Sequence, residues 1–135
     1  MSKEQIEETL KIYAHSLDRR KVDLYKTVID ENCIIEGQGF KYEGIEACVG
    51  TITMLDENFR MTMHRLHQSL ITVEGDTAFG ETYCVADHLL KDEDAIQVWG
   101  IRYQDKWRCV DGKWLFTHRK LEVEYLEHRP VTFLG

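Results

Sequence analysis

His64 lies in the run MTMHRLHQSL, Met61 to Leu70, which reads as an extended strand. Successive side chains on a strand point to opposite faces. His64 then shares a face with Leu66, Gln68 and Leu70, and Arg65, His67 and Ser69 share the other. The first face is mostly apolar and belongs inside, which predicts an imidazole pointing into a core or cavity. An imidazole held against a carbon acid can take its proton. The alternative is a core histidine bonded to a backbone carbonyl.

Parity sorts the other candidates in the same way. In THRKLEV, Arg119 keeps the company of Leu121, Val123 and Tyr125, whereas His118 goes with Lys120, Glu122 and Glu124. Arg119 is the inward candidate, and a fixed guanidinium there would stabilise a departing anion or hold a carboxylate. Its alternative is a pair with an acidic neighbour, and a β-bulge near Thr117 would reverse the parity. Asp87 and His88 are adjacent, so only one of them faces the interior, and Asp87 is the inward candidate, placed to assist proton transfer. Asp87 alternates with Tyr83, Val85 and Leu89; His88 alternates with Thr82, Cys84 and Ala86. Asp18, ahead of RRKVDLY, is placed to N-cap a following helix. His64 and His67 fall on opposite strand faces, so they do not share a metal. GQGFKYEG lacks the strand-to-helix setting of a dinucleotide fingerprint and reads as a turn. No metal and no cofactor are expected.

These residues need elements to position them. Ser2 with Gln5 forms a capping-box pattern, and Ile6, Leu10, Tyr13 and Leu17 recur at helical spacing. The spacing predicts a first amphipathic helix ending near DRR. Tyr13 and Asp18 are about 140° apart on an ideal helix, so they share a pocket only if it ends or bends near Asp18. A shorter helix is expected from about Val22 to Ile29. CIIEGQGFKYEG reads as strand, turn and strand, and GIEACVGTITMLDENF as a third helix weakened by Gly50 and its β-branched residues. From Arg60 onward VEGD, LKDEDA and VDGKW mark turns between four long strands, roughly 61–73, 77–90, 96–110 and 113–126. Helices first and an antiparallel meander after define an α+β domain with helices over one sheet face. Such a curved sheet encloses a pocket.

The 135-residue length fits a single domain, residues 1–135. With 17 Lys and Arg against 24 Asp and Glu, the net charge of −7 disfavours nucleic acid and anionic membrane surfaces. No apolar run is long enough to span a bilayer. MSKEQIEETL is charged and unlike a signal peptide, which predicts a cytoplasmic protein. Cys33, Cys48, Cys84 and Cys109 form no C-x-x-C pair and are expected as free thiols.

The order of elements, with YAHSLDRRKVDLY, FKYEGIEA, VEGDTAFGETY and RYQDKWRCVDGKWLFTHRKLEV, resembles the SnoaL-like branch of the NTF2-like superfamily over nearly the whole chain. Its closest patterns are those of bile-acid dehydratase, scytalone dehydratase and lindane dehydrochlorinase, eliminating enzymes that work without a cofactor. The resemblance implies an NTF2-like cone-shaped α+β barrel, a deep apolar pocket, a hydrophobic small-molecule substrate and a homo-oligomer, dimer or trimer. It implies His64 as general base and Asp18 as the carboxylate that orients it. Tyr13 matches a tyrosine of the bile-acid dehydratase pattern and a lysine of the dehydrochlorinase pattern. Asp87 matches an aspartate of the former, and Arg119 an arginine found about there in these families. The implied activity is a dehydratase-type lyase acting on a hydrophobic, cyclic small molecule. A non-catalytic binding module and a polyketide cyclase or isomerase are the alternatives. Ketosteroid isomerases place a carboxylate base where this chain has Gly37, and the Asp-Arg-Asp set of an epoxide hydrolase has no counterpart.

Overall fold

A computed structural model describes residues 2–135. Helix α1 spans Ser2–Asp18, and its stripe Ile6, Leu10, Tyr13 and Leu17 is at most 2 % exposed. Burial of that stripe against the sheet holds the helix in place, since a helix of this length is marginal alone. It ends in a Schellman turn: Lys21 N–H donates to the Ser16 carbonyl at 2.9 Å and Arg20 N–H to the Leu17 carbonyl at 3.2 Å. Arg20 fills the left-handed position of that turn, with φ +55°.

Helix α2 covers Val22–Lys26, shorter than expected. Val28 and Ile29 are claimed by the sheet instead: both are buried, and Phe116 N–H donates to the Val28 carbonyl at 2.8 Å. Strands β1 (Ile29–Gly37) and β2 (Phe40–Glu43) form the short hairpin. The third predicted helix is broken at Val49 into α3 (Ile45–Cys48) and α4 (Gly50–Asn58). The long strands follow: β3 Phe59–Glu74, β4 Thr77–Leu90, β5 Ala95–Val110 and β6 Lys113–Pro130. β5 and β6 meet at Asp111 and Gly112, φ +51° and +79°, the positive pair that a two-residue type I′ turn requires.

The sheet runs β2-β1-β6-β5-β4-β3, antiparallel throughout except for the parallel contact of β1 with β6. It curves strongly into a cone but does not close: β2 and β3 remain its two edges. The NTF2-like α+β architecture is as expected, with an open cone in place of a closed barrel. Helix α1 lies across β3 and β6, and the main core fills the space between helices and sheet.

Bulges correct two of the simple alternations. In β3 the pairing steps from Leu66↔Cys84 to Ser69↔Thr82, so one extra residue sits on β3. His64 keeps Leu66 on its face, but beyond the bulge Ile71 turns inward at 6 % exposure and Leu70 turns out at 81 %. In β6 the pairing passes from Val123↔Ile101 to Tyr125↔Gly100, which leaves Glu124 as the extra residue. Gly100 lets the Tyr125 ring lie flat on β5 there, since a Cβ on it would fall 1.9 Å from that ring and push it aside.

Candidate active site

Asp18 is the last residue of α1 and reaches across to β3. Its Oδ1 lies 2.6 Å from His64 Nδ1 and accepts the Thr62 hydroxyl at 2.9 Å, while Oδ2 accepts the His64 backbone N–H at 2.8 Å. Both oxygens are engaged, and no side chain caps α2, so the helix-capping alternative is not realised. Burial pushes the Asp18 carboxyl up, but the side-chain hydrogen bond and charge of His64, its backbone N–H and the Thr62 hydroxyl outweigh it and hold the group below the usual carboxylate range. A carboxylate only accepts, so Nδ1 of His64 carries the proton and Nε2 is left as the basic lone pair. No hydrogen bond within the described residues engages that Nε2. The His64 side chain is 5 % exposed.

On β4 the interior position belongs to His88, not Asp87. The alternation holds along β4, but its buried face is that of His88, which overturns the expectation of an inward Asp87. Asp87 points to the opposite face, where Arg65 binds it through both guanidinium nitrogens at 2.5 and 3.1 Å. Thr82, Cys84, Ala86 and His88 are the buried set. His88 Nδ1 lies 3.1 Å from the Gln97 carbonyl, which can only accept, so its Nε2 is an unprotonated acceptor. That Nε2 is buried without a partner. Burial, and then the neighbouring His64, pull the His88 imidazole down to about 4, so it is neutral at ordinary pH. Its ring stacks on Trp99 at 3.9 Å and meets the His64 ring edge-on at 5.9 Å.

Arg119 points inward, and His118 outward to Glu36 at 2.5 Å. A bulge does occur at Thr117, between the pairs Lys106↔His118 and Trp107↔Phe116. It precedes Arg119, so it brings Phe116 onto the inner face and leaves Arg119 there too. Arg119 is wholly buried in an aromatic box, its guanidinium carbon 3.4 Å from the Tyr103 ring centre and 4.4 Å from that of Tyr13. Nε and Nη2 donate to Asp105 at 2.8 and 3.2 Å, and Thr82 donates to the same carboxylate at 3.1 Å. Burial opposes the guanidinium charge, but the Asp105 carboxylate, by its charge and hydrogen bonds, together with Tyr103 and Tyr13 outweighs it. Burial also pushes the Tyr13 phenol up to about 12, against the lowering effect of Arg119 and of a hydrogen bond with Tyr25.

The expected residues therefore fall into two interior clusters, His64 with Asp18 and Arg119 with Tyr13, with Asp87 outside both. His88 is the alternative to Asp87; the partners missed in the sequence, Thr62 and Asp105, both carry a parity signal. Thr62 alternates with His64, and Asp105 is a lone carboxylate between inward Tyr103 and Trp107.

The main cavity, about 590 Å³, opens between β1, β2, α4 and the outer half of β6. Its walls are largely apolar: Ile35, Phe40, Tyr42, Met54, Trp99, Leu121 and Tyr125. His64 is not in this lining; it is reached through the ring chain Trp99, His88, His64. Among the described residues no group of three or more His, Cys, Asp or Glu is assembled to hold a metal ion.

A helix-covered cone with an apolar cavity and polar groups buried beneath it defines a small-molecule-pocket α+β domain. The chain belongs to the SnoaL-like domain family, whose model matches residues 1–120. No curated protein matches its sequence significantly. It is similar in structure to a protein provisionally named scytalone dehydratase from Novosphingobium aromaticivorans, with 23 % identity, TM-score 0.87, and 97 % of this chain and 89 % of that one covered. It is likewise similar to the hexachlorocyclohexane dehydrochlorinase LinA-type3 of Novosphingobium barchaimii, with 14 % identity, TM-score 0.89, and 99 % and 94 % covered. At these identities the likeness is one of fold. Proteins named for dehydration and for dehydrochlorination thus share this architecture.

Proposed function

We propose that the protein is a cofactor-independent lyase that removes water from a hydrophobic, ring-containing small molecule. The observation that carries this reading is the part-buried His64–Asp18 contact of 2.6 Å, two stacked rings from an apolar cavity. His64 Nε2 takes a proton from the carbon beside the leaving hydroxyl. Asp18 stabilises the imidazolium so formed. The electron pair of the broken C–H bond becomes the new double bond, the C–O bond breaks, and the imidazolium returns its proton to the departing oxygen as water. His88 Nε2 is buried away from the cavity lining and takes no direct part in this scheme. Asp87 has no part in this scheme. Arg119 and Tyr13 support the floor of the site, since the guanidinium is already committed to Asp105.

One feature favours a second reading, a binding module with the same fold: His64 does not line the cavity. The two readings part on kinetics. Elimination should be measured on a panel of hydroxylated steroids and cyclic β-hydroxy ketones. His64→Ala should lose about 10²–10⁴-fold in rate while ligands still bind. Asp18→Asn should lose less, because the base survives with a poorer orienting partner. Equal rates in wild type and His64→Ala would remove His64 as the base and leave the binding module.

A further inference from the structure

Asp18 is poorly placed to hold its own position. It closes the C-terminal turn of α1, where the aligned peptide dipoles present their negative end and disfavour a carboxylate. Two residues on, Arg20 occupies the C′ position of the Schellman turn at φ +55°. Glycine is the residue that position favours, and a side chain there is strained.

The Arg20 side chain accounts for that strain. Its Nη1 donates to the Leu17 carbonyl at 2.5 Å and to Thr62 Oγ1 at 2.8 Å, and its Nε lies 3.5 Å from Asp56 Oδ1 on α4. Arginine only donates, so the Thr62 oxygen accepts. The single Thr62 hydrogen is then directed at Asp18 Oδ1, 2.9 Å away. Thr62 is 3 % exposed, so water does not compete for this bond. The charged and titratable groups around the dyad include Arg20 from the turn, Asp56 from α4 behind it, and His88 and Cys84 from β4.

We propose that Arg20 is a positioning residue: acting through the Thr62 hydroxyl, it holds the Asp18 carboxylate in the rotamer that faces His64 Nδ1. The catalytic consequence rests on the lyase reading above; the geometric one does not.

Arg20→Gly separates this role from a structural one, because it deletes the guanidinium and relieves the left-handed backbone together. A purely structural role, through the Leu17 carbonyl and Asp56, predicts a lower melting temperature and an unchanged dyad. Thr62→Val breaks the same relay from the other side. The readout is the imidazole Nδ1 proton of His64 by NMR, held downfield and protected from water by Asp18. Both variants should broaden or lose this signal while Arg20→Gly keeps its melting temperature. For any hydroxylated substrate that the wild type turns over, kcat should fall about tenfold with KM nearly unchanged. An unaltered Nδ1 signal in both variants overturns the proposal. Loss of the signal in a protein that eliminates no substrate upholds the positioning role and counts against only the lyase reading.

Discussion

His88 is fully buried, and its environment makes charging it costly. In the folded protein its imidazole stays neutral down to about 4, whereas in the unfolded chain it takes a proton below about 6.5. Between those values the unfolded state binds more protons, so stability is complete above the upper one and is lost as pH falls to the lower. The loss is on the order of 3 kcal/mol. His88→Phe keeps an aromatic ring against Trp99 and removes the titrating nitrogens. Urea unfolding of wild type from pH 7 to pH 4 should show this loss, and the variant should show a flatter profile over the same range. Parallel profiles would mean that another group carries the acid sensitivity. Asp18 adds its own acid sensitivity at lower pH, because its folded-state carboxyl is held down and its stabilisation persists until that carboxyl is protonated.

The strands show what a sequence can and cannot declare about elements. The α1 stripe, the turn residues and the four long runs place nearly every element within a few residues, because those signals are local. Parity puts His64 and Arg119 inside, and each is there. It fails at Leu70, where the extra residue of β3 exchanges the faces, and at Asp87, where neither face of the alternation is clearly more apolar than the other. Bulges follow from how two strands must shift to follow a curved sheet, and that depends on the partner strand. The same holds for the tie between β5 and β6 through Asp105 and Arg119, residues whose side chains are at most 1 % exposed. Arg119→Met should destabilise by about 3–5 kcal/mol, because it leaves a buried carboxylate without its counter-ion. Adding Asp105→Leu should recover much of that loss. Denaturant titration of the single and double variants tests this; a double variant no more stable than Arg119→Met would show that the carboxylate was never the problem.

Across the whole molecule, helices and main core hold one end of the open cone, and the cavity takes the end where β6 runs on beyond Leu121. Among the described residues no helix is long and apolar enough to cross a membrane. Tyr125, 53 % exposed, lies over Gly100 at the cavity wall. Deeper in, Trp99 forms both part of that wall and the face on which His88 stacks. Of the three tryptophans, Trp107 and Trp114 are buried in the main core, and only Trp99 lines the cavity. An excited indole in contact with an imidazolium loses its energy by electron transfer, whereas a neutral imidazole quenches it weakly. The emission of Trp99 should therefore dim as His88 gains its proton near pH 4, and at constant pH it should change in colour or intensity when a molecule fills the cavity. Trp99→Phe should silence both responses. The fold thus contains its own optical gauge of occupancy, which can find a ligand among unlabelled candidates before any reaction is known.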